Sequence, residues 1–175
     1  SYYLATSGDL KVTHCGNLAC SSGNVTTAVS TTNDVGKYSV LVTSGAGSVD
    51  IFHYDTTSGN LQNTRCGDSI CANVLGDPAL ESTNNIGQFV SAAVPHDNLA
   101  VIAYYDVTNA DLRVLKCHAG SDHSYQNACS GGATITSIDT SGNVGQYTSI
   151  VIAPDGLPFI AYYDVTNADL KTLKC

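Results

Sequence analysis

Residues Ile102–Leu112 read IAYYDVTNADL, and residues Ile160–Leu170 read the same eleven residues again. An identical internal copy of that length marks a repeat protein before any residue is given a role. Looser copies stand at His53–Leu61 (HYDTTSGNL) and Tyr2–Leu10 (YYLATSGDL). Each copy runs on to a cysteine: Cys15, Cys66, Cys117 and Cys175 lie eleven residues after Leu4, Asp55, Asp106 and Asp164. The intervals between those cysteines are 51, 51 and 58 residues.

A second motif keeps step with the first. Asp34-Val35-Gly36-Lys37-Tyr38, Asn85-Ile86-Gly87-Gln88-Phe89 and Asn143-Val144-Gly145-Gln146-Tyr147 share one pattern, each with its Gly nineteen residues before the next Asp. The seven extra residues of the last interval fall between two cysteines. Cys15 to Cys20 and Cys66 to Cys71 are five apart, whereas Cys117 to Cys129 is twelve. The insertion is therefore a loop.

The local signals are all β. Tyr147–Ala153 (YTSIVIA) is a short, nearly continuous apolar run, as expected of a strand covered on both faces. Pro154-Asp155-Gly156 supplies a turn, and Phe159–Tyr163 is a second strand rich in aromatic residues. Thr166-Asn167-Ala168-Asp169 is a hairpin turn, matching Thr6-Ser7-Gly8-Asp9 and Thr57-Ser58-Gly59-Asn60, and Leu170–Cys175 is a third strand. Val25–Val29 and Ala133–Ile138 read as a fourth, less regular strand, and nothing shows apolar residues at helical spacing.

Four short strands in about 50 residues is the size of one β-propeller blade and too long for one rung of a β-helix. The expectation is an all-β, β-propeller-like tandem array of four short antiparallel strands per blade, about three and a half blades in a single array over 1–175. Its parts are a partial blade at 1–33, blades at 34–84 and 85–142, the second with the Cys117–Cys129 loop, and a partial blade at 143–175. Through YYD…DLK…C, the repeat resembles the propeller-type tandem repeats of secreted bacterial and archaeal proteins. The Gly-Gly of kelch blades and the Trp-Asp of WD40 blades are absent, as is the sialidase-type Asp-box. The resemblance implies a fold and no particular activity.

Composition narrows the function classes. Charged residues are 13% of the 175 and apolar residues 43%, so the surface must be dressed in Ser, Thr, Asn and Gly. A net charge of −8 argues against a nucleic-acid binder, which needs a basic stripe to displace counterions. No stretch approaches the roughly 20 apolar residues of a membrane-spanning helix, so no membrane insertion is expected. The chain begins at Ser1 without Met or a leader, and reads as a processed product or a segment of something longer. Seven cysteines are many for a reducing cytosol, and the expected address is extracellular or at the cell surface.

The cysteine spacing points to disulfides Cys15–Cys20, Cys66–Cys71 and Cys117–Cys129. A metal site is the competing reading, but C-x2-C spacing is lacking. Cys175 has no partner in register, and either belongs to a longer array or pairs with another molecule. Asp55, Asp106 and Asp164, with Asp9, Asp111 and Asp169 across the hairpins, admit a calcium reading. Asx turns account for them better, and no cofactor is expected. The sole Glu, Glu81, has no matching acid for glycosidase chemistry, so no catalytic residue is assigned and the chain is read as a non-enzyme.

Three features are left for recognition. His118 and His123 flank Ala119-Gly120-Ser121-Asp122 within the inserted loop, the only part that breaks the repeat. Tyr3, Tyr54, Tyr105 and Tyr163 recur at equivalent positions, where they either pack between blades or offer rings to a sugar. Asn24-Val25-Thr26 is a glycosylation sequon. Together these features suit a structural or adhesive repeat protein, a subunit or segment of a surface filament assembled head to tail. Its partners would be its own copies or neighbouring repeats, with a glycan-binding, lectin-like module as the alternative.

Overall fold

The computed structural model describes residues 1–43, 48–120, 129 and 131–175. Among them there is no helix, and the strands form four antiparallel sheets. The first joins β1 (Tyr2–Leu4), β2 (Asp9–His14) and β3 (Val25–Ser30) in that order. The second runs β4 (Val35–Thr43), β5 (Val49–Asp55), β6 (Asn60–Cys66), with β7 (Val74–Gly76) and β8 (Ala79–Glu81) both on the outer edge of β6. The third is β9 (Ile86–Ala93), β10 (Val101–Asp106), β11 (Asp111–Cys117), β12 (Ala133–Asp139). The fourth is β13 (Val144–Ile152), β14 (Pro158–Asp164), β15 (Asp169–Lys174).

Each YYD segment and the strand after it form a hairpin with unbroken register, from Val101↔Lys116 to Asp106↔Asp111 in the third sheet. Two strands replace the single last strand of the second sheet, because Asp77-Pro78 interrupts it. Proline has no N–H to give the ladder, and β6 takes a bond from Asn63 N to the Pro78 carbonyl instead.

The core is layered between the sheets. Leu10, Val12, Val35 and Ile51 pack between the first and second. Phe52, Leu61, Ile86, Ile102 and Tyr104 fill the layer between the second and third, and Leu112, Val144, Ile160 and Tyr162 that between the third and fourth. Strand β1 packs on β4, β4 on β9 and β9 on β13. Every residue of β10 is buried, as a strand with a sheet on either face requires. The expected two-sided burial of Tyr147–Ala153 does not hold: Tyr147, Ser149 and Val151 face outward, because the fourth sheet is covered on one face.

The glycine motif is what lets the sheets nest. Gly36, Gly87 and Gly145 have φ of +99°, +98° and +102°, and a Cβ on each would stand 2.7–2.9 Å from the Cα of Leu10, Leu61 or Leu112 in the preceding sheet. No other residue fits that approach.

Candidate functional site

The chemistry-bearing residues gather where one sheet meets the next. Adjacent residues of a strand face opposite ways, so the two tyrosines of a YYD segment reach opposite neighbours. The second one points forward. Tyr3 donates to Asp34 Oδ1 at 2.6 Å, Tyr54 to Asn85 Oδ1 at 2.6 Å and Tyr105 to Asn143 Oδ1 at 2.8 Å. The first points backward, Tyr104 to Glu81 and Tyr162 to Asp139 Oδ2 at 2.7 Å. A cation completes each backward contact. Arg113 pairs with Glu81 and lies 3.5 Å from Asp106, while Lys171 stands 2.7 Å from Asp139 and 3.5 Å from Asp164.

These contacts set the titration behaviour. Burial, then the Tyr104–Glu81 hydrogen bond, pushes the Tyr104 hydroxyl far above its ordinary value. Burial and Asp139 push Tyr162 up to about 12. For Asp139, burial works upward but is outweighed by hydrogen bonds from Lys171 and Tyr162, which hold the carboxyl below the usual range.

The recurring aspartates serve their own turns. Asp55 Oδ1 accepts from the amides of Thr57 and Ser58, Asp106 Oδ1 from Thr108 and Asn109, and Asp164 Oδ1 from Asn167. This is the Asx arrangement, with the carboxylate taking the place of a backbone carbonyl. Among the described residues, no three His, Cys, Asp or Glu side chains converge to hold a metal ion.

Of the four tyrosines read as a ligand surface, Tyr54 and Tyr105 are buried with their hydroxyls committed, and Tyr3 and Tyr163 are half-buried. Tyr38 and Tyr147 are exposed instead, and the half-buried Phe89 lies between them. Tyr38, Phe89 and Tyr147 follow the motif glycines by two and stand side by side across three sheets, with centroids 4.6 and 4.4 Å apart. Each has φ near +53°, unusual for a bulky side chain. The Gly-x-aromatic spacing was the signal for this row; what hid it was the backbone bulge after each glycine, which turns the ring out of strand alternation.

Disulfides join Cys15–Cys20, Cys66–Cys71 and Cys117–Cys129, with Cα separations of 4.8, 4.7 and 4.5 Å. Three such bonds fit an oxidising environment. Cys66 and Cys71 sit inside the layer between the first two sheets, whereas Cys20 is exposed. Cys175 is a free, exposed thiol whose partial burial raises its pKa. Asn24 closes the Cys15–Cys20 loop, donating to the Cys20 carbonyl at 2.7 Å and accepting from Gly16 N at 3.1 Å. His118 pairs with Thr134 Oγ1 at 2.9 Å, and His123 lies outside the described residues. No helix among the described residues is long and apolar enough to cross a membrane. The chain matches no protein-family model, and no curated protein matches it.

Proposed function

We propose that this chain is a non-catalytic, extracellular structural or adhesive repeat protein with propeller-type packing of its sheets, working as part of a surface filament. One observation carries the reading: the same contact between sheets is built three times over. In each, a Gly lies against a Leu, a tyrosine hydroxyl meets an Asp or Asn, and an amide of the later sheet bonds a turn carbonyl of the earlier (Val35 to Gly8, Ile86 to Gly59, Val144 to Ala110). Such a contact is heterologous, one face of a repeat meeting a different face of the next, and contacts of that kind extend into rings or open fibres. The recurring tyrosines are engaged in these junctions and the recurring aspartates in their own turns, which favours a structural role for both. The disulfides favour the extracellular address. Native mass measurement and negative-stain microscopy of the protein test it. Polymers or rings of uniform width are expected, and a monodisperse monomer at every concentration would count decisively against a filament.

The ring row favours a second reading, a glycan-binding module. Tyr38 and Tyr147 are 40% and 66% exposed, and lie beside the polar Lys37 and Gln146. A glycan array with wild type and Tyr147→Ala decides: saturable binding lost in the variant supports this reading, and silence across the array removes it.

A further inference from the structure

The junctions share one plan, and the first lacks its cation. Arg113 and Lys171 are each the third residue of their strand and each touch two carboxylates. The third residue of β6 is Gln62, which is neutral. Its Nε2 donates to Asp55 Oδ2 at 3.2 Å, and Asn33 Nδ2 donates to the same oxygen at 3.0 Å. The second carboxylate is that of Asp77, which accepts from Ser30 Oγ at 2.5 Å and from Thr64 Oγ1 at 2.8 Å, and lies 3.1 Å from His53 Nε2. Ser30 occupies the position of Glu81 and Asp139, opposite the leucine of the neighbouring strand. Two carboxylates are thus retained while the fixed cation is gone.

His53 meets Asp77 from within the core, where it is fully buried. Thr64 spends its one proton on Asp77, so the imidazole nitrogen beside it, Nε2, is the N–H form. The other nitrogen, Nδ1, is fully enclosed with no hydrogen-bond partner. Gln62 Oε1 is likewise a buried acceptor with no donor. Beside these groups lies a cavity of about 400 Å³ walled by Ser30, Asn33, Gln62 and Asp77, with Val29 and Thr32. Burial tends to raise the Asp77 carboxyl, but hydrogen bonds from His53 and Ser30 hold it below its ordinary value, so it is ionised at neutral pH.

We propose that this cavity binds an alkylammonium or guanidinium group, which takes the place filled in the other two junctions by Lys171 and Arg113. The ligand's N–H groups donate to Asp77, and Gln62 Oε1 accepts another. The group belongs either to a free amine or to a Lys or Arg side chain of a partner. The inference stands apart from the filament reading, since it concerns a single chain.

Calorimetric titration of the protein at low salt with agmatine, putrescine, a short Arg-containing peptide and calcium chloride tests it. Saturable 1:1 binding of agmatine or putrescine is expected, about tenfold or more weaker in Asp77→Asn, because a charge-assisted hydrogen bond is lost. Gln62→Arg, which supplies its own cation, should abolish binding and raise the melting temperature, and keeps the test sound if Asp77→Asn fails to fold. Asp97→Asn, at the distant pairing with Lys116, should bind as wild type does. Tighter binding of the peptide than of the free amines assigns the site to a partner's side chain; the reverse assigns it to a small molecule. No saturable binding of any organic cation, undiminished binding to Gln62→Arg, or preference for calcium overturns the proposal.

Discussion

Tyr104 and Tyr105 are neighbours in sequence, yet their hydroxyls bond in opposite directions, Tyr104 back to Glu81 and Tyr105 forward to Asn143. The partners differ in charge, and so should the cost of losing them. Tyr104→Phe strips a donor from a buried carboxylate and is expected to cost about 1.5–3 kcal/mol, against about 0.5–1.5 kcal/mol for Tyr105→Phe. Urea denaturation of the two variants gives the comparison. Equal costs would mean the ionic partner adds nothing.

Gly87→Ala should be among the most damaging small substitutions in the chain. The new Cβ would meet the Leu61 Cα at 2.9 Å in a backbone conformation that alanine rarely adopts. Strain and displacement together are expected to cost about 2–4 kcal/mol, read as a fall in denaturation midpoint.

Ala110→Gly should act the other way. Ala110 and Ala168 hold φ of +62° and +57° at the turn position that Gly8 and Gly59 occupy in the other repeats. Relief of left-handed strain outweighs the added freedom of the unfolded chain, for a net gain of about 0.5–1 kcal/mol. A lowered melting temperature would show that the alanine methyl is needed.

Stability should fall at both ends of the pH scale. Asp77 and Asp139 titrate below the ordinary 3.8 in the folded chain. Their contribution is therefore complete above that value and lost as pH falls through the lower, folded one. Tyr162 is raised from 10.0 to about 12, so its contribution is complete below pH 10.0 and lost as pH rises through about 12. Melting temperature followed against pH, with tyrosinate absorbance at the alkaline end, checks both limbs. Alkaline loss should be blunted in Tyr162→Phe.

The disulfides should open in order of burial. Cys15–Cys20 has an exposed sulfur partner, whereas Cys66 and Cys71 are each 1% exposed. Mild reductant under native conditions is expected to open Cys15–Cys20 first, as differential alkylation and mass spectrometry would detect. Each short loop contributes only about 2 kcal/mol by chain entropy, so the protein should stay folded after the first bond opens.

Much of the architecture was legible because it is written several times. The all-β character, the hairpin turns at Thr57-Ser58-Gly59-Asn60 and Thr166-Asn167-Ala168-Asp169, and the oxidised cysteines follow from period, turn chemistry and spacing. The side-chain partnerships were not, since they join residues of different repeats. Tyr54 to Asn85 spans 31 residues and Tyr105 to Asn143 spans 38, and no local pattern says which tyrosine of a pair faces which neighbour. The ring row of Tyr38, Phe89 and Tyr147 escaped for another reason: the bulge after each glycine breaks the alternation from which facing is read.

The changing polar partners at otherwise matching junctions also bear on how the chain folds. Two hairpins with identical sequence could trade places at little cost in apolar packing, and near-identical repeats are prone to such misassembly. Here the groups facing the preceding sheet distinguish them: Asp77 of the second sheet meets Ser30, an arginine and tyrosine of the third meet Glu81, and a lysine and tyrosine of the fourth meet Asp139. A hairpin docked on the wrong neighbour would face an acid of the wrong reach, or a serine where its cation needs a carboxylate. The polar edge of each sheet thus works as an address label, sorting look-alike segments into one order.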